Sequence, residues 1–192
     1  MNRRWNSKDF KIGVLGGGQL GRMLIQEAID LDVHLHMIDP DPNAPCALIA
    51  HSFTCGSITD YDTVIEFGKD KDLITVEIEN VNIEALEALE QNGVKIFPQP
   101  RVLRIIKDKG IQKQFYVDHN IPTAPFTLYD NANALEEANI SYPIIQKMRT
   151  GGYDGKGVPL LQQSSHSYDA PNLCESLIDF DKELSVIVAR NE

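Results

Sequence analysis

The nonapeptide RTGGYDGKG at residues 149–157 combines the barest backbone of the chain with some of its most reactive side chains. Its four glycines let the main chain turn tightly and bring N–H groups up against phosphate oxygens, which side chains at those positions would block. Arg149 and Lys156 place cationic heads at either end of the segment. Tyr153 and Asp154 add a hydroxyl and a carboxylate, and a pure phosphate cradle has little use for an acid. The combination points to two ligands meeting at one loop, with a plain glycine-rich hairpin turn as the competing reading.

A second glycine cluster lies near the start. Gly16, Gly18 and Gly21 match G-x-G-x-x-G between the apolar run FKIGVL and a helical pattern, and Asp39 ends the next strand, where a ribose-binding acid would sit. Taken alone, this suggests a nicotinamide-dependent oxidoreductase, although any anion on a helix N-terminus benefits from the same turn. Glu77 and Glu79 share one face of LITVEIENV, and Glu77 lies at the carboxyl end of that strand, where open parallel sheets place ligands. His34 and His36 share one face of VHLHMID without a third metal ligand nearby, which fits a structural or surface role. Lys107, Lys109 and Lys113 stand out on a basic helix in an otherwise acidic chain; a solvated face and an anion site both account for them.

The elements that must position these residues follow from periodicity. Phe10 onward reads as strand, glycine turn and helix, with Leu20, Met23, Leu24, Ala28 and Leu31 as the face expected to pack on the sheet. Strands at VHLHMID, HSFTC, LITVEIENV and VKIFP alternate with helices over residues 60–69 and 83–91, the first opened by an acidic cap and the second ended by Gly93. Such alternation makes an α/β domain with a parallel sheet covered on both faces. Residues 101–119 are expected to be one helix, broken by the two prolines of NIPTAPF. A strand at 126–128, a short helix at 132–138 and the strand YPIIQKM then carry Lys147 to the glycine loop, and VPLLQ returns as the opposing strand.

Composition narrows the partners. With 192 residues and 42% apolar content, the chain can build one large domain or two smaller ones. A net charge of −10 argues against a nucleic-acid or membrane surface but leaves room for a local basic pocket that takes a small anion. Cys46, Cys55 and Cys174 are odd in number and lack C-x-x-C spacing, so neither a disulfide framework nor a zinc site is indicated, and a reducing cytoplasm fits. No apolar run approaches membrane-spanning length.

Together, YPIIQKMRTGGYDGKG, the preceding DKGIQKQF and IPTAPF, the early GGGQLGRM and the late CESLIDFDKELSVIVAR resemble the ATP-grasp superfamily, and within it the 5-(carboxyamino)imidazole ribonucleotide synthases. The resemblance runs from Phe10 to the last residue. It implies a Rossmann-like preATP-grasp domain at 10–100, a connecting helical segment at 101–124, and the first part of a truncated α+β ATP-grasp domain at 125–192, while residues 1–9, with two arginines and no following apolar region, read as a disordered arm. It also reassigns the first glycine turn from a dinucleotide to the ribonucleotide substrate.

On this resemblance, Lys147 and Lys109 neutralise ATP phosphates, and the loop of Gly152, Tyr153, Asp154, Gly155, Lys156, Gly157 and Val158 closes over them. Glu175, Ser176, Leu177 and Ile178 form the hinge that reads adenine largely through backbone groups. Glu183 accepts from the ribose hydroxyls, a role suited to an acceptor-only group. Gly17, Gln19 and Leu20, with Tyr153 and Asp154, meet aminoimidazole ribonucleotide, and Glu77, from its place at a strand end, is a further candidate for the same ligand. Asp154 is the candidate for orienting and deprotonating its amine, with Tyr153 beside it. The family often has arginine where Lys109 stands, so the sign of that contact is kept while its geometry changes.

The implied reaction is ATP- and bicarbonate-dependent carboxylation of the exocyclic amine through carboxyphosphate, in purine biosynthesis, with magnesium spreading the charge of the transferring phosphoryl group. The resemblance further implies a homodimer, with neither nucleic acid nor membrane as partner. Metal ligands and substrate-phosphate residues are expected downstream of residue 192, so the 192-residue chain is expected to be a fragment without turnover of its own. Another ATP-grasp carboxylase or ligase, a nicotinamide oxidoreductase and a non-catalytic nucleotide-binding module are the alternatives.

Overall fold

A computed structural model describes residues 5, 7, 9–138, 140–151, 159–162 and 169–188. The chain divides into two compact units, Met1–Lys107 and Asp108–Glu192.

In the first unit, strands β1 (Ile12–Leu15), β2 (Leu35–Asp39), β3 (Ser52–Cys55), β4 (Leu73–Val76) and β5 (Lys95–Ile96) form one parallel sheet in the order β3-β2-β1-β4-β5. The two-residue period of β1 sends Val14 and Leu15 to opposite faces. Val14 packs with Met37 and with Ile25 and Ala28 of helix α1 (Gln19–Asp30). Leu15 packs with residues of α2 (Tyr61–Gly68), α3 (Ile83–Gln91) and α4 (Pro100–Lys107), including Val64, Phe67, Leu86, Leu89 and Leu103. Both faces are therefore covered, as the strand-helix alternation requires. The strand order reverses at β1, so the turn leaving its carboxyl end occupies the topological switch point.

Two sequence expectations change in this unit and a third at the boundary to the next. Of the apolar stripe expected to be buried on α1 only Ala28 is: it is buried with Gly21 and Ile25, while Leu20, Met23, Leu24 and Leu31 are exposed. A Cβ on Gly21 would lie 3.0 Å from Met37 Cε and 3.1 Å from Cys46 Sγ, so the helix sets its smallest residue against the sheet and the larger side chains rotate outward. Strand β4 stops at Val76, which leaves Glu77 and Glu79 in the loop after it rather than on one strand face. The basic helix is two helices: Asp108 adopts an extended backbone and its side chain accepts from the amides of Gly110 and Ile111, starting α5 (Lys109–Asp118) afresh.

The second unit holds α5, β6 (Phe126–Tyr129), α6 (Ala132–Glu137), β7 (Ile144–Met148), β8 (Leu160–Leu161) and β9 (Asn172–Ser176). Its antiparallel sheet runs β6-β9-β7-β8. Register places Ile145 opposite Glu175 and Lys147 opposite Leu173. Opposed residues share a face, so Lys147, Leu173 and Glu175 project together, while Ile144 and Cys174 take the other face and pack with Leu135 and Leu161. Residues 184–188 of the late segment form no strand. Leu184, Val186, Ile187 and Val188 are all exposed there.

Candidate functional site

The first glycine turn is held by two acids, Asp39 at the end of β2 and Glu77 just after β4, the strands on either side of β1. Gly16 has φ +106°, a conformation that favours glycine, and a Cβ there would sit 2.7 Å from Glu77 Oε2. A Cβ on Gly18 would sit 2.8 Å from Glu77 Oε1, so the Glu77 carboxylate lies directly against the bare backbone. The Gly21 amide donates to Glu77 Oε1 at 3.4 Å, and the Gly17 amide donates to Asp39 Oδ2 at 2.7 Å. The other Asp39 oxygen accepts from the Asp41 amide at 2.9 Å. Asp39 therefore fastens its own loop instead of standing clear as a ribose acid. Cys46 closes the turn from below: its amide donates to Gly17 O at 3.0 Å and its thiol lies 3.5 Å from Gly18 O. Burial pushes the Cys46 thiol pKa up, with Glu77 and Asp39 adding to the effect.

This arrangement favours a ligand with N–H donors. A pyrophosphate on the N-terminus of α1 would meet the carboxylate of Glu77, which already occupies the position that the helix dipole makes attractive to anions. Gly17 is buried in the turn, and Gln19 and Leu20 open to solvent on the first turn of α1.

The second unit contains a cleft of about 290 Å³ lined by Lys109, Gln112, Lys113, Lys147, Leu173 and Glu175. The chemistry of that lining, three cations and an apolar floor at Leu173, fits a phosphorylated ligand with a flat apolar part. Lys113 and Lys147 both reach Glu175, at 2.6 Å and 2.5 Å. Burial raises the Glu175 pKa, but hydrogen bonds from Lys113 and Lys147 outweigh it and hold the carboxyl below its ordinary range. The sequence named Lys113 only as a member of a basic helix. Its four-residue spacing from Lys109, which puts both on one face of α5, was the available signal.

Arg149 does not stand free at the mouth of the glycine loop. Its guanidinium donates to Asp108 through Nε at 3.0 Å and through a terminal nitrogen at 2.6 Å, and its carbonyl accepts from the Lys109 amide at 2.9 Å. Arg149 thereby ties the start of the loop to the N-terminus of α5. Gly152, Tyr153, Asp154, Gly155, Lys156, Gly157 and Val158 lie outside the described residues. Ser176 ends β9 with its amide on Pro125 O at 3.0 Å, and Leu177, Ile178 and Glu183 follow exposed and outside regular structure.

His34 and His36 are joined by a third imidazole that sequence spacing did not bring near. His51 stacks edge-on against both, with centroids 4.7 Å and 5.1 Å away, and Nδ1 of His36 pairs with Ser52 Oγ at 2.6 Å. Among the described residues no trio of His, Cys, Asp or Glu converges on a metal position, so no magnesium ligand set is identified there. The three cysteines are free thiols, and no helix of the described residues is long and apolar enough to cross a membrane.

Comparison with known proteins converges on one family. The ribonucleotide synthetase preATP-grasp domain matches residues 10–107, and the ATP-grasp domain matches residues 114–192. The N5-carboxyaminoimidazole ribonucleotide synthase of Synechococcus elongatus is 36% identical over 190 residues, a match covering 94% of this chain and 48% of that protein. The carboxyaminoimidazole ribonucleotide synthase of Aspergillus clavatus complexed with ATP is 31% identical with a TM-score of 0.82, covering 93% of this chain and 49% of that one. The synthase from the same organism in complex with ADP and 5-aminoimidazole ribonucleotide is 30% identical with a TM-score of 0.78, over 93% and 48%. The chain thus spans about half the length of the curated relatives it matches. Its paired α/β and antiparallel units place it in the ribonucleotide synthetase preATP-grasp family, whose domain is followed here by an ATP-grasp domain.

Proposed function

We propose that the chain serves the ATP- and bicarbonate-dependent carboxylation of the exocyclic amine of 5-aminoimidazole ribonucleotide. The observation that carries this reading is the lysine-lined cleft on the β7–β9 face, in a chain whose net charge is −10. Relatives solved with ATP, and with ADP and the aminoimidazole ribonucleotide, support it.

In this scheme Lys109 and Lys147 receive the nucleotide phosphates, and the main chain from Ser176 to Ile178, with Glu183, receives adenine and ribose. The glycine loop from Gly152 to Val158 excludes water from the labile carboxyphosphate. A bicarbonate oxygen attacks the γ-phosphorus as the bond to ADP breaks. The substrate amine then attacks the carboxyl carbon, phosphate leaves, and Asp154 takes the amine proton. Gly17, Gln19, Leu20 and Glu77 seat the ribonucleotide, where the acid favours donor groups over a second phosphate. Magnesium, when bound, supplies charge neutralisation on the transferring phosphoryl group. A reducing cytoplasm suits the three free thiols, and a homodimer is the expected assembly, checked by light scattering.

In the full-length protein, ATP cleavage should depend on bicarbonate and ribonucleotide, and Lys147→Met should weaken ATP binding by about tenfold or more. Asp154→Asn should lower kcat while leaving ATP affinity in place. Unchanged ATP affinity in Lys147→Met takes the cleft out of the reaction. Tight binding of a reduced nicotinamide cofactor at the first turn would favour the oxidoreductase instead.

A further inference from the structure

Lys113 and Lys147 share one carboxylate but are held very differently. Lys113 is 7% exposed, and its ammonium lies 2.6 Å from Glu175 Oε1, 2.5 Å from Thr123 Oγ1 and 3.2 Å from Ala124 O. Three acceptors satisfy its three donors, so it is fixed in place. The Lys147 side chain is 28% exposed and meets Glu175 Oε2 at 2.5 Å from the open side of the cleft. Glu175 itself is 7% exposed.

Two ammonium groups on one buried carboxylate are one more than neutrality needs, which gives the trio a net positive charge facing the cleft. A phosphate that draws Lys147 away leaves Glu175 still compensated by Lys113. Were Lys113 absent, Lys147 would be the one cation of the pair left on Glu175, and its departure would strand a buried charge without a counter-ion, which is costly.

We propose that Lys113 is a positioning residue: it keeps Glu175 permanently neutralised, so that Lys147 can be handed from Glu175 to a nucleotide phosphate. The inference rests on the reading of this cleft as the ATP site. Lys113 then makes no contact with the nucleotide and acts only through Glu175. Its effect should therefore grow with the ligand's negative charge and vanish when Glu175 loses its own.

The test is calorimetric binding of ATP and of adenosine to the full-length protein and four variants, with thermal melts to establish that each is folded. Lys113→Met should weaken ATP about tenfold and leave adenosine unchanged. Lys113→Met combined with Glu175→Gln should return ATP affinity to near the parent level, because Lys147 is then released from any counter-ion. Glu175→Gln alone keeps the main chain assigned to adenine and removes only the counter-ion, so it should bind ATP at least as tightly as the parent, which keeps the proposal testable should Lys113→Met fail to fold. Equal losses for ATP and adenosine, no recovery in the double variant, or weaker ATP binding by Glu175→Gln would each overturn it. Lys147→Met separates the two levels: if its ATP affinity matches the parent, the functional reading fails, whereas a loss there beside an unaffected Lys113→Met sinks the positioning role alone.

Discussion

Glu77 and Glu175 carry the same functional group into opposite surroundings. Glu77 faces backbone amides and bare glycine carbons, while Glu175 faces two ammonium groups. The first acid therefore accepts from a backbone amide, and the second is committed to holding cations. Glu77→Gln retains an acceptor for the Gly21 amide but loses the charge. It should weaken binding of aminoimidazole ribonucleotide about tenfold while ATP affinity stays level, read by titrating each ligand separately; equal affinity for the ribonucleotide would remove Glu77 from its site. The place of Glu77 at the carboxyl end of a parallel strand was legible in the sequence. The partnership of Lys113 with Glu175 was not, because 62 positions separate them (175 − 113) and only strand register and helix packing bring them together. Arg149 was misread for a related reason: a charge beside a glycine loop suggests a ligand, and nothing local announces that Asp108 will claim it.

Elements were more legible than the faces they bury. Helix α3 covers the expected residues: Gly93, the expected stop, takes φ +91° just beyond its end, and Asn82 Oδ1 accepts from the Ala85 amide at 2.8 Å at its start. Asn82→Ala should cost the first unit about 1 kcal/mol, the usual worth of an N-cap side chain, measured by denaturant unfolding; an unchanged midpoint would mean the cap contributes nothing. Helix α1 shows the limit of periodicity, for its largest apolar residues suggested one face and the sheet took the face carrying Gly21. Hydrophobicity counts side-chain size, whereas close approach of backbone to sheet rewards its absence. The Asp108 break was hidden likewise, because a capping acid in mid-pattern resembles an ordinary surface residue until its amides are found.

At the scale of the whole molecule, two units with separate cores should answer acid differently. In the first, His36 is held down to about 4, chiefly by burial, then by Lys71, His51 and Lys11, against an opposing pull from Asp70. The unfolded chain takes up a proton near pH 6.5 and the folded one does not until about pH 4. Stability from the neutral imidazole is thus whole above pH 6.5 and declines as pH falls towards 4. In the second unit, Asp108 and Glu175 are lowered: burial opposes ionisation in both, but Arg149 and the two lysines outweigh it. Their contribution is whole above the ordinary carboxylate range and is lost only as pH falls through it. Calorimetry from pH 7 to pH 3 should therefore show one transition weakening before the other. His36→Gln should flatten the early decline; an identical slope in that variant would clear His36 of it.

The clasp between Gly21 and Glu77 joins positions 56 residues apart, and it has a consequence for how the chain is made. Synthesis delivers the first strand and helix long before β4 and its trailing acid emerge from the ribosome. Until they do, Asp39 and Cys46 hold the glycine turn of the nascent domain without Glu77, and its completion waits on translation rather than on local folding.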